Sequence, residues 1–174
     1  MGGSGGTLGD ARLSRLDSFI RRLEAQRRCL DLAVALVADL PGPVLELGLG
    51  NGRTYDHLRE RLPDRAIWVF ERDPRPHPSC RPAEDRLIVG DLAATLPEAG
   101  SRIGAPAALL HADLGSADPA RDRALALLVA RHLPALVAPG GVVVADQDLT
   151  APGFTPLDVP ELPPGRYFVL RRAA

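Results

Sequence analysis

The chain has 174 residues, 45% apolar and 25% charged, with a net charge of −1. That composition suits one globular domain with a sizeable core, and it excludes a whole-protein attraction to nucleic acid or an anionic membrane. Every basic residue is arginine, so no lysine is on hand as a general base or Schiff-base former.

Residues 1–9 are glycine-rich and are expected to be disordered, leaving a single domain over 10–174. Residues from Asp10 to about Leu40 read as helix. Leu13, Leu16, Ile20 and Leu23 recur at helical spacing, and Leu30, Val34 and Val37 resume the pattern after a bend expected near Gln26. This helix pair caps the sheet, or serves as a lid or a homodimer contact. Pro41-Gly42-Pro43 ends it.

The first strand is expected over Val44–Leu47, followed by a glycine-rich turn and a helix from Arg53 to Leu62. The second strand covers Ile67–Phe70. Pro74, Pro76, Pro78 and Pro82 then forbid a long helix, so the crossover to a third strand at Arg86–Val89 must be mostly loop. A short helix is expected near Pro97, a fourth strand at Ala107–Ala112, and a long helix from Pro119 to about Leu133 that Pro134 bends or stops. Pro139-Gly140-Gly141 reads as a turn into a fifth strand ending at Ala145. Only Arg166–Leu170 looks like a further strand, antiparallel at an edge. Short apolar runs alternating with helical segments predict an α/β fold with a doubly wound, mostly parallel sheet.

The apolar runs lead into Glu46, Glu71, Asp91, Asp113 and Asp146. In such sheets the ligand crevice lies outside the carboxyl ends of the strands. An acidic lip there repels a pyrophosphate and favours a cationic nucleoside. Each acid alone has an equally good reading as a helix cap. Between the first strand and its helix lies Glu46-Leu47-Gly48-Leu49-Gly50-Asn51-Gly52, where glycines permit positive φ and close ligand approach. A dinucleotide fingerprint would space its third glycine one residue later.

This pattern resembles motif I of the class I S-adenosylmethionine-dependent methyltransferases. The likeness extends through Glu71, Gly90-Asp91-Leu92, Asp113 and the run Leu136-Val137-Ala138-Pro139-Gly140-Gly141, covering about Pro43 to Gln147. Gly52-Arg53-Thr54-Tyr55-Asp56-His57-Leu58 is similar to a feature of a small bacterial group in that superfamily. The resemblance implies S-adenosylmethionine as cofactor, held by Glu46, Gly48, Leu49, Gly50, Asn51 and Gly52, by Glu71 at the ribose with Arg72 next to it, and by Asp91 and Leu92 at the adenine. Glu46 is expected to face the amino-acid end.

Methyl transfer needs mainly a positioned nucleophile and exclusion of water. Asp113, His111 and His57 are the candidate catalytic residues, although a histidine near a strand end is more often structural. Asp113, Asp146 and Gln147 are similar to the metal set of cation-dependent O-methyltransferases, and such oxygens suit Mg²⁺. Glutamine stands where those enzymes carry asparagine, and their lysine has no counterpart. Structural or acceptor-contact roles therefore rank ahead of a metal. The expectation is methyl transfer to a small-molecule acceptor, with no nucleic-acid or membrane partner. The alternatives are a non-catalytic S-adenosylmethionine-binding scaffold and a nicotinamide-dependent oxidoreductase. Cys29 and Cys80 lack metal spacing and read as reduced. With no signal peptide or apolar span evident, a cytoplasmic protein is expected.

Overall fold

The computed structural model describes residues 13–116, 118–162 and 165–174. The tail expected to be disordered at residues 1–9 and the helix start expected at Asp10 lie outside them. The strands are β1 (Val44–Leu47), β2 (Ile67–Glu71), β3 (Leu87–Val89), β4 (Ala107–Ala112), β5 (Val137–Ala145), β6 (Phe154–Pro156) and β7 (Phe168–Arg172). They form one sheet in the order β3-β2-β1-β4-β5-β7-β6. Strands β1 to β5 run parallel, and β7 is antiparallel to both β5 and β6. This is the expected α/β architecture.

The helices are α1 (Arg15–Leu36), α2 (Arg53–Arg61), α3 (Leu92–Thr95), α4 (Ala99–Ile103) and α5 (Pro119–Leu136). Because successive strand residues point to opposite faces, the apolar runs supply two cores. Val44, Val69, Leu109 and Val142 pack with Cys29, Leu30 and Ala33 of α1 and Leu58 of α2. Leu45, Leu47, Leu110 and Val143 pack with Val129 and Leu133 of α5 and with Leu96. Fully buried leucines such as Leu110 and Leu133 each contribute about 1.5–3 kcal/mol. Burial of Cys29 pushes its thiol up to about 11, which keeps it an unreactive core residue.

Several sequence expectations are corrected. Helix α1 is one continuous helix rather than a bent pair. Gln26 marks no bend but a buried polar side chain with its own partners. A helix not expected from the sequence, α3, starts at Leu92, because Asp91 caps it by accepting from the Ala93 N–H, while Pro97 opens the turn Leu96–Glu98 that runs into the short helix α4, where a helix start was expected. Pro134 does not stop α5. It lies in the last turn, and the Val137 N–H closes the helix on the Leu133 carbonyl. Strand β5 runs straight through Pro139-Gly140-Gly141, with a register shift against β4 between Ala107 and Leu109 and Gly140 at φ +77°, as in a bulge. Strand β7 begins at Phe168, and β6 covers it, so it is not the edge. The crossover from β2 to β3 holds only the single turns Pro78–Cys80 and Glu84–Arg86, as its prolines require.

The strand order reverses between β1 and β4, so the crevice forms at the carboxyl ends of these strands.

Candidate active site

Three glycines shape the turn after β1. Gly48, Gly50 and Gly52 have φ of +88°, +51° and +86°, a region that costs other residues about 1–2 kcal/mol. A Cβ on Gly48 would lie 2.7 Å from the Asp113 carbonyl oxygen, and one on Gly52 would lie 2.6 Å from Cys80 Cβ. Packing therefore dictates both. At Gly50 a Cβ would meet no protein atom within 4 Å; the space beside it is open.

Glu71, the last residue of β2, ties this turn to its own strand. Its Oε2 accepts from the Leu49 N–H at 2.9 Å and the Gly50 N–H at 3.2 Å. Its Oε1 accepts from the Arg72 and Asp73 N–H groups at 2.7 and 3.1 Å. Partial burial pushes the carboxyl pKa up, but these four backbone donors pull it further down, and the net shift is below the ordinary value. Glu71 is thus held as an acceptor-only carboxylate.

Two cavities meet here. One, of about 230 Å³, is lined by Phe70, Glu71, Arg72, Asp91, Leu92 and Leu125 among others. The other, of about 110 Å³, lies between α1 and the turn, against Phe19, Leu23, Leu49, Gly50, Asn51 and Thr54. Gly48 and Asp113 line both. A separate hollow of about 310 Å³ between α1 and Glu161, Leu162 and Arg166 shares no residue with either.

Of the five acids, Glu71, Asp91 and Asp113 line the crevice. Glu46 does not. It is the third residue of β1 rather than the residue past it, and both its side chain and that of His111 are 0% exposed. Glu46 Oε2 lies 2.8 Å from His111 Nδ1, its register partner on β4, and its Oε1 accepts from the Thr54 hydroxyl of α2. Burial pushes the His111 pKa down, but the charge and hydrogen bond of Glu46, with Asp113 and Asp146 behind it, outweigh that and raise it. The His111 Nε2 side faces the Tyr167 hydroxyl at 3.5 Å. Tyr167 is itself buried, which keeps its hydroxyl protonated.

This geometry removes two of the three catalytic candidates from the crevice. His111 is sealed in the core. His57 Nε2 contacts Asp31 at 2.9 Å, joining α2 to α1, and it lines neither cavity. Asp113 remains. Its Oδ1 accepts from Arg22 Nη2 at 2.6 Å and its Oδ2 from Gln26 Nε2 at 2.9 Å. The Gln26 amide also reaches the Tyr167 hydroxyl at 2.6 Å.

The suspected metal set is likewise engaged elsewhere. Asp146 accepts from the Leu114 and Gly115 N–H groups at 3.0 and 2.7 Å, pinning the segment after β4. Gln147 turns its amide nitrogen toward Asp146 Oδ2 at 3.4 Å, where a ligating oxygen would be needed. Asp122 receives the Ser116 N–H and hydroxyl, which lower its pKa and hold the next stretch of the same segment. Among the described residues no group of three or more His, Cys, Asp or Glu side chains comes together as a metal site.

Arg22, Gln26 and Phe19 were absent from the sequence-derived site. A polar Gln26 interrupting the apolar stripe of α1 was the available signal. Its partner Asp113 lies 87 positions away, a separation that helical periodicity does not report.

The sheet and its crevice define the class: a Rossmann-like S-adenosylmethionine-dependent methyltransferase. The chain belongs to the S-adenosyl-L-methionine methyltransferase family, whose sequence pattern matches residues 13–172. A crystal structure of an S-adenosyl-L-methionine methyl transferase from Silicibacter pomeroyi DSS-3 is 44% identical, with a TM-score of 0.87 over 93% of this chain and 100% of that one. Human methyltransferase-like protein 13, solved in complex with S-adenosylhomocysteine, shares the fold at 19% identity and a TM-score of 0.53, over 90% of this chain and 80% of that one. Comparison with curated proteins found no match. The chain is therefore an enzyme that uses S-adenosylmethionine, which decides against the scaffold and the nicotinamide-dependent readings. Among the described residues no helix is long and apolar enough to cross a membrane.

Proposed function

We propose that this enzyme methylates a small-molecule acceptor that enters beside α1, and that residues 10–174 act as one domain in doing so. The observation that carries the reading is the pair of neighbouring cavities that share Gly48 and Asp113 in their walls. The larger suits adenosine: Glu71 for the ribose hydroxyls, Asp91 for the adenine amino group, Leu92 against the base and Arg72 at the rim. The open space beside Gly50 leaves room for the ligand at the turn. Bound S-adenosylmethionine supplies an electrophilic methyl group on its sulfonium. The protein's own contribution is positioning and exclusion of water. The turn from Gly48 to Gly52 fixes one wall of the crevice, α1 roofs the other, and Asp113 presents a carboxylate where the cavities meet.

The cavity under α1, about 110 Å³, also has Arg22 and Asp113 in its wall beside the cofactor's amino-acid end, and the little room left past them supports a small acceptor over a macromolecular one. Phe19, 46% exposed at its mouth, gives the entering molecule an apolar surface. Leu16 and Ile20, exposed on the same helix, supply the surface on which the homodimer expected from the sequence would pack.

Calorimetric titration with S-adenosylhomocysteine tests the reading. One equivalent is expected to bind, equally well with Mg²⁺ or with a chelator, because Asp113, Asp146 and Gln147 already have protein partners. Heat that appears only with Mg²⁺ would reinstate the metal set. No heat in either condition would remove the crevice assignment.

A further inference from the structure

With Glu46 sealed in the core, the amino-acid end of the cofactor lacks the partner that the sequence suggested for it. Arg22 and Asp113 stand where that end would fall. The smaller cavity adjoins the larger at Asp113, and Arg22 forms part of its wall. The two side chains already form an ion pair of 2.6 Å, with exposures of 41% and 25%. We propose that Arg22 is the residue that recognises the α-carboxylate of the cofactor, and that it does so by exchange: it releases Asp113, and Asp113 takes the α-ammonium.

The exchange conserves charge pairing. One arginine–carboxylate pair and one free zwitterion become two charge-assisted contacts, so no charge is left unpaired in the narrowed site. The two partners are unequally anchored. Asp113 keeps a second hydrogen bond from Gln26, which is buried and held in turn by Tyr167. Arg22 lies on the outer part of α1, and among the described residues its side chain hydrogen-bonds to Asp113 alone. The carboxylate is therefore fixed and the guanidinium is the group that moves. A planar guanidinium also matches a carboxylate in two-point geometry, which an ammonium would not. Arg22 thus acts as a specificity-determining residue, favouring cofactors that carry the amino acid over nucleosides that lack it.

The inference rests on the cofactor reading above, and its test separates the two. Binding of S-adenosylhomocysteine and of 5′-methylthioadenosine, which has no amino-acid moiety, is measured by calorimetry for the wild type, Arg22→Ala and Arg22→Lys. Arg22→Ala is expected to weaken S-adenosylhomocysteine by about tenfold to a hundredfold and to leave 5′-methylthioadenosine unchanged, with Arg22→Lys in between. The unchanged ligand also shows that the variant is folded. Equal loss for both ligands would make Arg22 a support for α1 and overturn the proposal. Unchanged or tighter S-adenosylhomocysteine binding would overturn it too, leaving Arg22 as a competitor for Asp113. A wild type that binds neither ligand would end the cofactor reading together with this one.

Discussion

Glu71→Ala is expected to weaken S-adenosylhomocysteine binding by about a hundredfold, equivalent to about 2.7 kcal/mol. Two things are lost at once. The ribose loses its carboxylate acceptor, and the glycine turn loses the Leu49 and Gly50 anchors on Oε2. The four donors already use all the lone-pair sites of the free carboxylate, so ribose hydroxyls must displace some of them, and binding includes a local shift of the turn. The fold should survive, because Glu71 is only half-buried at a strand end and the donors it leaves can turn to water. Glu71→Gln keeps one good acceptor oxygen and should fall between wild type and alanine. Calorimetry of the three proteins, with circular dichroism as a fold control, checks this. Equal affinities would take Glu71 out of the site.

Glu46→Ala should instead damage the fold. It strands His111, which is 0% exposed, and leaves the Thr54 hydroxyl without its acceptor. Breaking a buried pair by removing one partner costs about 3–5 kcal/mol, roughly 10 °C of thermal midpoint for a chain of this size. The pH dependence follows from the direction of the His111 shift. Its folded pKa is raised, so the native state binds the proton more tightly than the unfolded chain. The stabilisation is complete below the unfolded value of about 6.5 and is lost as pH rises through the folded value. Thermal midpoints of the wild type should therefore decline above about pH 6.5. Glu46→Gln, which keeps the hydrogen-bonding shape but removes the charge, should flatten that decline. A wild-type midpoint that rises across this window would show that His111 is neutral in the fold.

The same pair shows where sequence reading reaches its limit. The strands, the glycine turn and the loop crossover after Glu71 were legible because each has a local cause: a run of β-branched and leucine residues, glycines at fixed offsets, prolines that forbid helix. Family resemblance added the cofactor. Glu46 and His111 were misplaced toward the crevice although both strands have the expected bounds, because an apolar run does not report that two polar residues inside neighbouring strands pair with each other in the core. Pro134 and Pro139-Gly140-Gly141 were read as breaks from intrinsic preference alone. In the fold, the closing bond from Val137 to Leu133 and the bulged pairing of β5 with β4 override that preference. The roof of the site was least visible. Arg22 and Gln26 meet Asp113 across 91 and 87 positions of sequence, and Asp146 anchors a backbone segment that no side-chain pattern announces.

The most direct test of the account is a crystal structure with S-adenosylhomocysteine bound. The account predicts the ribose hydroxyls on Glu71, the adenine beside Asp91 and Leu92, and the sulfur at the junction of Gly48 and Asp113. A nucleoside lodged instead in the hollow between α1 and Glu161, Leu162 and Arg166, with Glu71 still holding Leu49 and Gly50 as in the free protein, would contradict it.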